Sequence, residues 1–317
     1  MSNAPGKRGE FELIADLFAP LTRGAESAKN LRDDAAFLKV TPGHELVVTV
    51  DMVIAGVHFR LDDPPDLIAR KALRVNLSDL AAKGAKPIGF LQALALNDGI
   101  TDAYLERYAR GLAADVATFG CPLLGGDTTS SQGPLTVAIT AFGEVETGKG
   151  VLRAGAKPGD LLFVTGTIGD AALGLACLMG SLPTAEALVQ RYQLPQPRVG
   201  LRLADFASAC LDVSDGLVAD VGHLCNASGV GAVIERAKVP LSADARKAVA
   251  LDSTWWEKIL TGGDDYELAF TVPPSKKSAL AGLNVTEIGR IMTGSGVSAI
   301  DESGQPLALR TAGYQHR

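Results

Sequence analysis

Acidic residues beside glycine recur along this chain, and this recurrence constrains the fold more than any other pattern. Asp127 follows Gly125–Gly126 between two apolar runs, and Asp264 follows a second glycine pair, Gly262–Gly263. Glycine adopts backbone angles that side chains forbid, so each segment reads as a tight turn that a bulky anion can approach closely. A carboxylate with neighbouring hydroxyls suits a magnesium ion and the phosphates that it carries.

A single Gly-Gly-Asp segment is more often only a turn, but this chain has several acidic segments beside glycine, small residues or strand ends. They contain Asp33 and Asp34, Asp51, Asp79, Asp127, and Asp212 with Asp215. Histidine and cysteine do not cluster, and the four cysteines form no CxxC pair, so zinc, copper and iron sites fit poorly. Magnesium prefers a few carboxylates plus water and substrate phosphates, which indicates nucleotide chemistry.

Length and composition indicate a soluble protein of two domains. The chain has 317 residues, of which 47% are hydrophobic and 21% charged. A net charge of −6 provides no basic field for nucleic acid or for a membrane surface. The apolar runs are too short to cross a bilayer and the N-terminus has no signal-peptide core, so we expect a cytoplasmic protein.

Periodicity predicts an α/β fold with a glycine-rich, charged boundary at residues 147–160. We therefore expect one domain over residues 1–148 and another over 149–317. Helical spacing is predicted for residues 10–18, 65–83, 101–120, 171–179, 199–210 and 217–226. Strands are predicted directly after Asp34, for residues 45–51, 135–145, 161–165 and 285–292, and after the second Gly-Gly-Asp.

Three segments place polar groups where chemistry is possible, with an ordinary alternative for each. Asp79 lies inside a largely apolar helix, which is costly unless the carboxylate binds metal or pairs with Lys83. Ser214 or Asp215 can serve as the N-cap of the helix over residues 217–226. Residues 166–170 link a strand to a helix like a phosphate-binding turn, yet the segment lacks the Walker lysine and close packing is an equal explanation.

At these residues the chain resembles the thiamine-monophosphate kinase family, which belongs to one superfamily with aminoimidazole ribonucleotide synthetase and selenophosphate synthetase. The resemblance covers nearly the whole chain. Its carriers are Glu10–Ile14, Asp33–Ala36, Val50–Met52, Gly56–Phe59, Val75–Ala82, Gly125–Thr129, Gly155–Asp160, Asp212–Leu217 and Asp265–Leu268.

The resemblance implies ATP- and Mg²⁺-dependent, direct in-line transfer of a phosphoryl group to thiamine monophosphate, which gives thiamine diphosphate. It also implies an N-terminal α/β domain that pairs in a homodimer and a C-terminal α/β domain over the cleft. The implied metal ligands are Asp34, Thr49, Asp51, Asp79, Asp127, Asp212 and Asp215, with the carbonyl of Val50. The implied ATP contacts are Tyr104, Gly126, Asp127, Arg153 and Ser214, the substrate contacts are His58, Asp264 and Tyr314, and the catalytic residues are Asp79, Asp127 and Asp212.

Two positions depart from the family pattern, and other functions stay open. Arg32 and Asp264 stand where members usually carry glycine and glutamate. His58 can be an ordinary structural histidine, and Arg153 a solvated linker residue. A sister enzyme that activates an amide or a selenide is one alternative, although selenophosphate synthetases carry an N-terminal cysteine or selenocysteine and the first cysteine here is Cys121. The other is a non-enzymatic calcium-binding module.

Overall fold

The computed structural model describes residues 8–314. It divides into two units, one formed by the chain up to Leu80 with Ala85–Gly148, the other by Ala81–Gly84 with the chain from Lys149. Each unit combines helices with one sheet, of four strands in the first and six in the second. The predicted α/β class is therefore confirmed. Within residues 8–314, no helix has the length and apolar character needed to cross a bilayer.

The first unit is a four-stranded mixed sheet with two long helices. Its strands are β1 (His44–Ile54), β2 (Lys86–Leu96), β3 (Leu123–Ser130) and β4 (Thr136–Glu146). Its helices are α1 (Glu10–Leu13), which continues as a π-helix over Ile14–Phe18, then α2 (Pro65–Ala82) and α3 (Asp102–Phe119), with 3₁₀ turns at Ala19–Thr22 and Glu26–Leu31. The strand order is β1-β4-β2-β3, so β1 and β3 are its edges.

One face of this sheet is covered by helices and the other is open. Val137, Ile139 and Ala141 of β4 are buried on the covered face. On the open face of β1 an apolar row is exposed, and Val50 reaches 63% exposure. The strand predicted for residues 45–51 is confirmed, but it is an edge strand with one uncovered side and not a buried strand, and it continues beyond Asp51 to Ile54. We call this exposed set the β1 row: Leu46, Val48, Val50 and Met52.

The second unit is a six-stranded sheet with five helices. Its strands are β5 (Leu161–Thr165), β6 (Ala209–Asp212), β7 (Gly231–Glu235), β8 (Leu268–Val272), β9 (Val285–Met292) and β10 (Gly296–Ile300), in the order β10-β7-β9-β5-β8-β6. Its helices are α4 (Asp170–Leu178), α5 (Glu186–Gln193), α6 (Leu217–Ser228), α7 (Ala243–Leu251) and α8 (Trp255–Thr261), with 3₁₀ turns at Leu203–Asp205, Arg236–Lys238 and Pro274–Leu280. The core of the unit joins Leu162 and Val164 of the sheet to Leu173, Leu224 and Ile259 of the helices.

Several predicted elements are confirmed in their positions. Thr101 caps α3 through its side chain, and Gly120 ends the helix in the left-handed conformation, as expected from the sequence. Helix α2 and strands β4, β5 and β9 lie within two residues of their predicted ranges. All four cysteines are buried and free.

Three predicted elements differ in the structure, and two of them are absent. Residues 10–18 are helical as predicted, but the α-helix becomes a π-helix after four residues, and Phe11 is 83% exposed. No strand follows Asp34, where residues 35–40 are irregular. The helix over residues 199–210 is absent because Gly200 takes a left-handed φ of 95°, and the segment becomes a 3₁₀ turn that leads into β6.

The first Gly-Gly-Asp segment is part of a strand and not a turn. Gly125–Gly126 and Asp127 lie in β3, which pairs in parallel with β2. A Cβ atom built at Gly126 would lie 2.0 Å from the carbonyl oxygen of Gln92. Glycine is therefore required here by the close approach of the neighbouring strand and not by a left-handed φ.

Candidate functional site

In the first unit, β1 and α2 bring three predicted metal ligands together. Thr49 Oγ1 donates to Asp79 Oδ2 at 2.5 Å, and Asp51 interacts with the same carboxylate. The backbone nitrogen of Asp51 donates to Asn76 Oδ1 at 3.1 Å, and Asn76 Nδ2 donates to Ala72 O at 3.0 Å. Asn76 thus fixes β1 against α2, one helical turn before Asp79.

The electrostatics of this cluster favour a cation. Burial, followed by the charge of the neighbouring Asp79 carboxylate, raises the pKa of Asp51 to about 7. Within residues 8–314, neither carboxylate forms an ion pair with a basic side chain, and Lys83 Nζ donates to Cys210 O at 3.0 Å. Two carboxylates and a hydroxyl are a hard-oxygen donor set, so these residues fit a magnesium ion.

The register of the sheet separates Asp127 from this cluster. Asp51 pairs with Ile139 of β4, Ile139 with Gln92 of β2, and Gln92 with Gly126 of β3. Gly126 therefore lies in the same row as Asp51 at a distance of three strand spacings, about 14 Å along the sheet. Asp127 is exposed and, as the next residue, points to the open face.

Asp34 lies in an exposed, irregular segment of the first unit. Its backbone nitrogen donates to Asp33 Oδ1 at 2.8 Å. The preceding Arg32 has a φ of −116°, which any residue can adopt. The departure from glycine at this position therefore creates no backbone strain.

His58 and Tyr104 each have a local structural partner. His58 Nδ1 accepts from the backbone nitrogen of Ile54 at 3.1 Å, and the backbone nitrogen of His58 donates to Ile54 O at 3.0 Å, so this residue stabilises the end of β1. Tyr104 lies in the first turn of α3. Burial, followed by the charge of Asp63, raises the pKa of Tyr104 to about 12, so its hydroxyl stays protonated at neutral pH. Their predicted substrate and ATP contacts stay predictions.

In the second unit, backbone hydrogen bonds gather four predicted residues from three parts of the chain. The backbone nitrogen of Asp264 donates to Ser214 O at 2.9 Å, and that of Tyr314 donates to Asp215 O at 2.9 Å. A Cβ atom built at Gly263 would lie 2.1 Å from Ser214 O, so only glycine permits this approach. The second glycine pair thus brings Asp264 against the Ser214–Asp215 segment.

Asp220 is a functional candidate that the sequence reasoning missed. Its Oδ2 accepts from the backbone nitrogens of Asp215 at 2.9 Å and Gly216 at 3.0 Å. The predicted cap by Ser214 or Asp215 is wrong, because Gly216 is the N-cap of α6 and makes no side-chain cap bond. Burial, followed by the charge of Asp215, raises the pKa of Asp220 to about 7.

An exposed histidine lies beside this carboxylate pair. Ligand atoms of Asp215, Asp220 and His223 lie within 4.8 Å of one another. Asp212 ends β6 and is only 8% exposed. The sequence did contain a signal for Asp220, because it is an acid inside an apolar helix. The same signal identified Asp79.

Two further buried acids, Asp265 and Glu267, were also missed as functional residues. Asp265 Oδ2 accepts from the backbone nitrogen of Gly169 at 2.6 Å and Oδ1 from that of Ala171 at 3.3 Å. The N-terminus of α4 therefore holds a carboxylate of the chain itself. A Cβ atom built at Gly169 would lie 2.7 Å from Ile259, so the turn at residues 166–170 serves close packing.

Glu267 is paired by two arginines. Arg191 Nη2 donates to Glu267 Oε1 at 2.9 Å, Arg198 Nε donates to Oε2 at 2.6 Å, and Thr165 Oγ1 donates to Oε2 at 2.6 Å. Arg191 Nη2 also donates to Asp265 O at 3.1 Å. Arg153, by contrast, lies exposed in the segment that follows the first unit.

Comparison with known proteins identifies relatives along nearly the whole chain. Residues 32–145 match the model of the AIR synthase related protein N-terminal domain, and residues 157–302 match the C-terminal domain. Thiamine-monophosphate kinase of Caulobacter vibrioides is 46% identical over 319 residues, which cover 97% of this chain and 90% of the relative.

Solved structures agree with this result. Thiamine-monophosphate kinase from Stenotrophomonas maltophilia K279a is 40% identical with a TM-score of 0.79, and the match covers 87% of this chain and 90% of that one. AaThiL complexed with AMPPCP and TMP is 34% identical with a TM-score of 0.79, and the match covers 90% of this chain and 91% of that one. The chain therefore belongs to the AIR synthase related proteins and, within them, to the thiamine-monophosphate kinase family.

Proposed function

We propose that this protein is a thiamine-phosphate kinase that transfers the γ-phosphoryl group of ATP to thiamine monophosphate. The observation that carries the proposal is the cluster of Thr49, Asp51 and Asp79, in which two carboxylates share a half-buried place without a basic partner among residues 8–314. The likeness to AaThiL, whose structure holds AMPPCP and TMP, supports the choice of substrates. The reaction takes place in the cytoplasm, without nucleic acid or membrane.

The roles follow the two units. Residues 1–148 form the domain that binds metal and nucleotide and dimerises, and residues 149–317 form the C-terminal domain. Several Mg²⁺ ions are held by Asp34, Thr49, the carbonyl of Val50, Asp51, Asp79, Asp127, Asp212 and Asp215. ATP contacts Tyr104, Gly126, Asp127, Arg153 and Ser214, thiamine monophosphate contacts His58, Asp264 and Tyr314, and Asp79, Asp127 and Asp212 act in catalysis.

The proposed reaction requires these residues to position the two substrates and to neutralise the charge of their phosphates. The attacking atom is a phosphate oxygen, already ionised near neutral pH, so no strong general base is required. Magnesium held by these carboxylates would neutralise the phosphates of both substrates. Asp51 on β1 and Asp79 on α2 would position the metal ion. Asp264 and Tyr314 contact the thiazolium end of thiamine monophosphate. We therefore propose direct in-line transfer without a phosphoenzyme.

The two edges of the first sheet support a homodimer. Strands β1 and β3 each leave one backbone edge without a strand partner in the described chain, and the exposed β1 row lies on the open face. Pairing β1 with the β3 strand of a second copy closes both edges and buries apolar surface. The same pairing places the β3 strand of a second copy, which carries an Asp127, beside the β1 strand that carries Asp51.

A mixed dimer tests this arrangement. Subunits with Asp51→Asn and subunits with Asp127→Asn are each inactive alone. In an equimolar mixture that exchanges subunits, one intact site forms per mixed dimer, so about a quarter of wild-type activity should return. If both residues of a site come from one subunit, no activity returns.

The activity itself is tested by a phosphorus-NMR time course with ATP, Mg²⁺ and thiamine monophosphate. We expect the signals of thiamine diphosphate and ADP to grow together. A protein that releases ADP without thiamine diphosphate would instead be a sister enzyme with another acceptor. Binding of Ca²⁺ without any turnover would identify a structural module, and either result overturns the proposal.

A further inference from the structure

Asp265 is a fully buried carboxylate to which none of the proposed roles is assigned. It accepts from the backbone nitrogens of Gly169 and Ala171, at the N-terminus of α4. The N-cap residue of that helix makes no side-chain cap bond. Helix N-termini present unpaired N–H groups and the positive end of the helix dipole, so this contact ties Asp265 firmly to α4.

The residues on both sides of Asp265 are held in an unfavourable backbone conformation. Asp264 has a φ of 73° and Tyr266 a φ of 50°. Left-handed φ values are costly for residues other than glycine and persist where the surrounding structure imposes them. Asp265 supplies that constraint from the middle of the turn, through its side chain on α4 and through its carbonyl, which accepts from Arg191 Nη2 at 3.1 Å.

The turn presents Asp264, while the facing segment is held by a different carboxylate. The backbone nitrogen of Asp264 donates to Ser214 O, and Asp220 independently binds the backbone nitrogens of Asp215 and Gly216. We therefore expect a change at Asp265 to move Asp264, while Asp220 still anchors Asp215 and Gly216.

We propose that Asp265 is a positioning residue for thiamine monophosphate, because it fixes the strained turn that places Asp264 at the substrate. This inference rests on the proposed function, since it takes Asp264 as a substrate contact. The proposal predicts different effects on the two substrates. Loss of the Asp265 contacts weakens the binding of thiamine monophosphate, whereas the binding of ATP depends on the segment that Asp220 holds.

The isosteric variant Asp265→Asn tests the proposal in the full-length protein. Asparagine offers one acceptor oxygen, so only one of the two α4 amides can be satisfied. We expect the KM for thiamine monophosphate to rise about tenfold, while the KM for ATP stays within about twofold. Equal changes of both KM values, or none, overturn the proposal.

Asp170→Asn is the matched control. Asp170 is also buried at the first turn of α4, but the hydrogen bonds that its carboxylate accepts come from Thr167 Oγ1 at 2.5 Å and Ser242 Oγ at 2.6 Å. It should change the melting temperature without changing the KM for thiamine monophosphate. If Asp170→Asn reproduces the kinetic effect of Asp265→Asn, the effect belongs to helix stability and the proposal is wrong.

A second pair of variants tests the proposal even if Asp265→Asn does not fold. Arg191→Lys removes the Nη2 atom that donates to both Asp265 O and Glu267, whereas Arg198→Lys alters the pairing of Glu267 alone. We expect about a threefold rise in the KM for thiamine monophosphate from Arg191→Lys and no rise from Arg198→Lys. Equal effects of the two variants contradict the proposal.

Hydrogen exchange separates this inference from the proposed function. If the wild-type protein makes no thiamine diphosphate, the function fails, but the amides of Asp264 and Tyr266 still report the turn. Asp265→Asn should speed their exchange about tenfold relative to Asp170→Asn. Unchanged exchange overturns the positioning role whatever the reaction is.

Discussion

Each unit holds one group of buried or half-buried acids, Asp51 with Asp79 in the first and Asp265 with Glu267 in the second, and the two groups differ in their partners. In the first unit, Asp51 and Asp79 lie together with a threonine and no basic side chain among the described residues. In the second, Glu267 is paired with Arg191 and Arg198, and Asp265 binds two backbone amides. Acids that the chain neutralises itself stabilise the fold, and acids that it leaves repelling each other need a ligand from outside.

The strongest test of this contrast is Asp79→Asn. We expect kcat to fall at least about a hundredfold, because the bridging carboxylate is lost while the packing of α2 remains. Steady-state kinetics and a melting curve measure both. Asp66→Asn, on the same helix in an exposed pair with Arg107, is the control and should keep wild-type kcat. A variant Asp79→Asn with more than about a tenth of wild-type kcat would show that Asp79 is not catalytic.

In the second unit, Glu267→Gln should affect stability instead. Removing the charge leaves two arginines without their buried partner, which costs about 3–5 kcal/mol of unfolding free energy. Urea unfolding measures the loss. The control is Glu302→Gln, which removes an exposed carboxylate that pairs with Arg236, and it should change the unfolding free energy by less than about 1 kcal/mol. Similar losses from both variants would mean that the buried network contributes little.

The pH dependence of stability sharpens the comparison further. The pKa of Asp51 is raised from 3.8 to about 7 in the folded protein, so its contribution to stability is fully present below pH 3.8 and is lost as the pH rises through about 7. Without metal, the unfolding free energy of wild type should thus fall relative to Asp51→Asn between these values. Urea unfolding in EDTA measures this difference. Parallel pH profiles of the two proteins would contradict the shifted pKa.

Magnesium should act on the same group. A cation binds the ionised carboxylate, so its affinity should rise with pH between about 6 and 8 in wild type. Calorimetry in buffers of different ionisation enthalpy counts the protons released. Asp51→Asn should release fewer protons, and an equal release would place the titrating group elsewhere.

The smallest expected effect comes from Asp264→Glu, which restores the residue that family members usually carry. Glutamate is one methylene longer, so the KM for thiamine monophosphate should change about two- to fivefold while the ATP affinity stays the same. Initial rates with each substrate varied in turn measure this. An altered ATP affinity would reassign Asp264 to the nucleotide side.

Local patterns predicted the elements whose causes are local. Helices α2 and α3 follow from apolar spacing and from the caps at Thr101 and Gly120. Gly126 of β3 was predicted wrongly as a turn residue, because glycine is required there by the carbonyl of Gln92, more than thirty residues earlier in the sequence but on the adjacent strand. A turn and a tight strand contact require the same residue, and spacing alone does not separate them.

The sequence indicated several acids of the candidate site but not the buried acids that hold the neighbouring backbone in place. Asp51, Asp79 and Asp215 stood out because acids in apolar surroundings are rare. Asp220, Asp265 and Glu267 were overlooked because their partners are backbone amides or arginines distant in sequence. The separation of Asp127 from Asp51 follows from strand order, which no local pattern encodes.

The occupied start of α4 has a consequence for how the enzyme depends on its surroundings. Many phosphate-binding proteins bind the anion with such helix amides, and here the side chain of Asp265 occupies them. In the proposed reaction, divalent ions from solution therefore neutralise the charge of the phosphates. Turnover should accordingly track the supply of those ions in solution, and chelation should silence the enzyme without unfolding it.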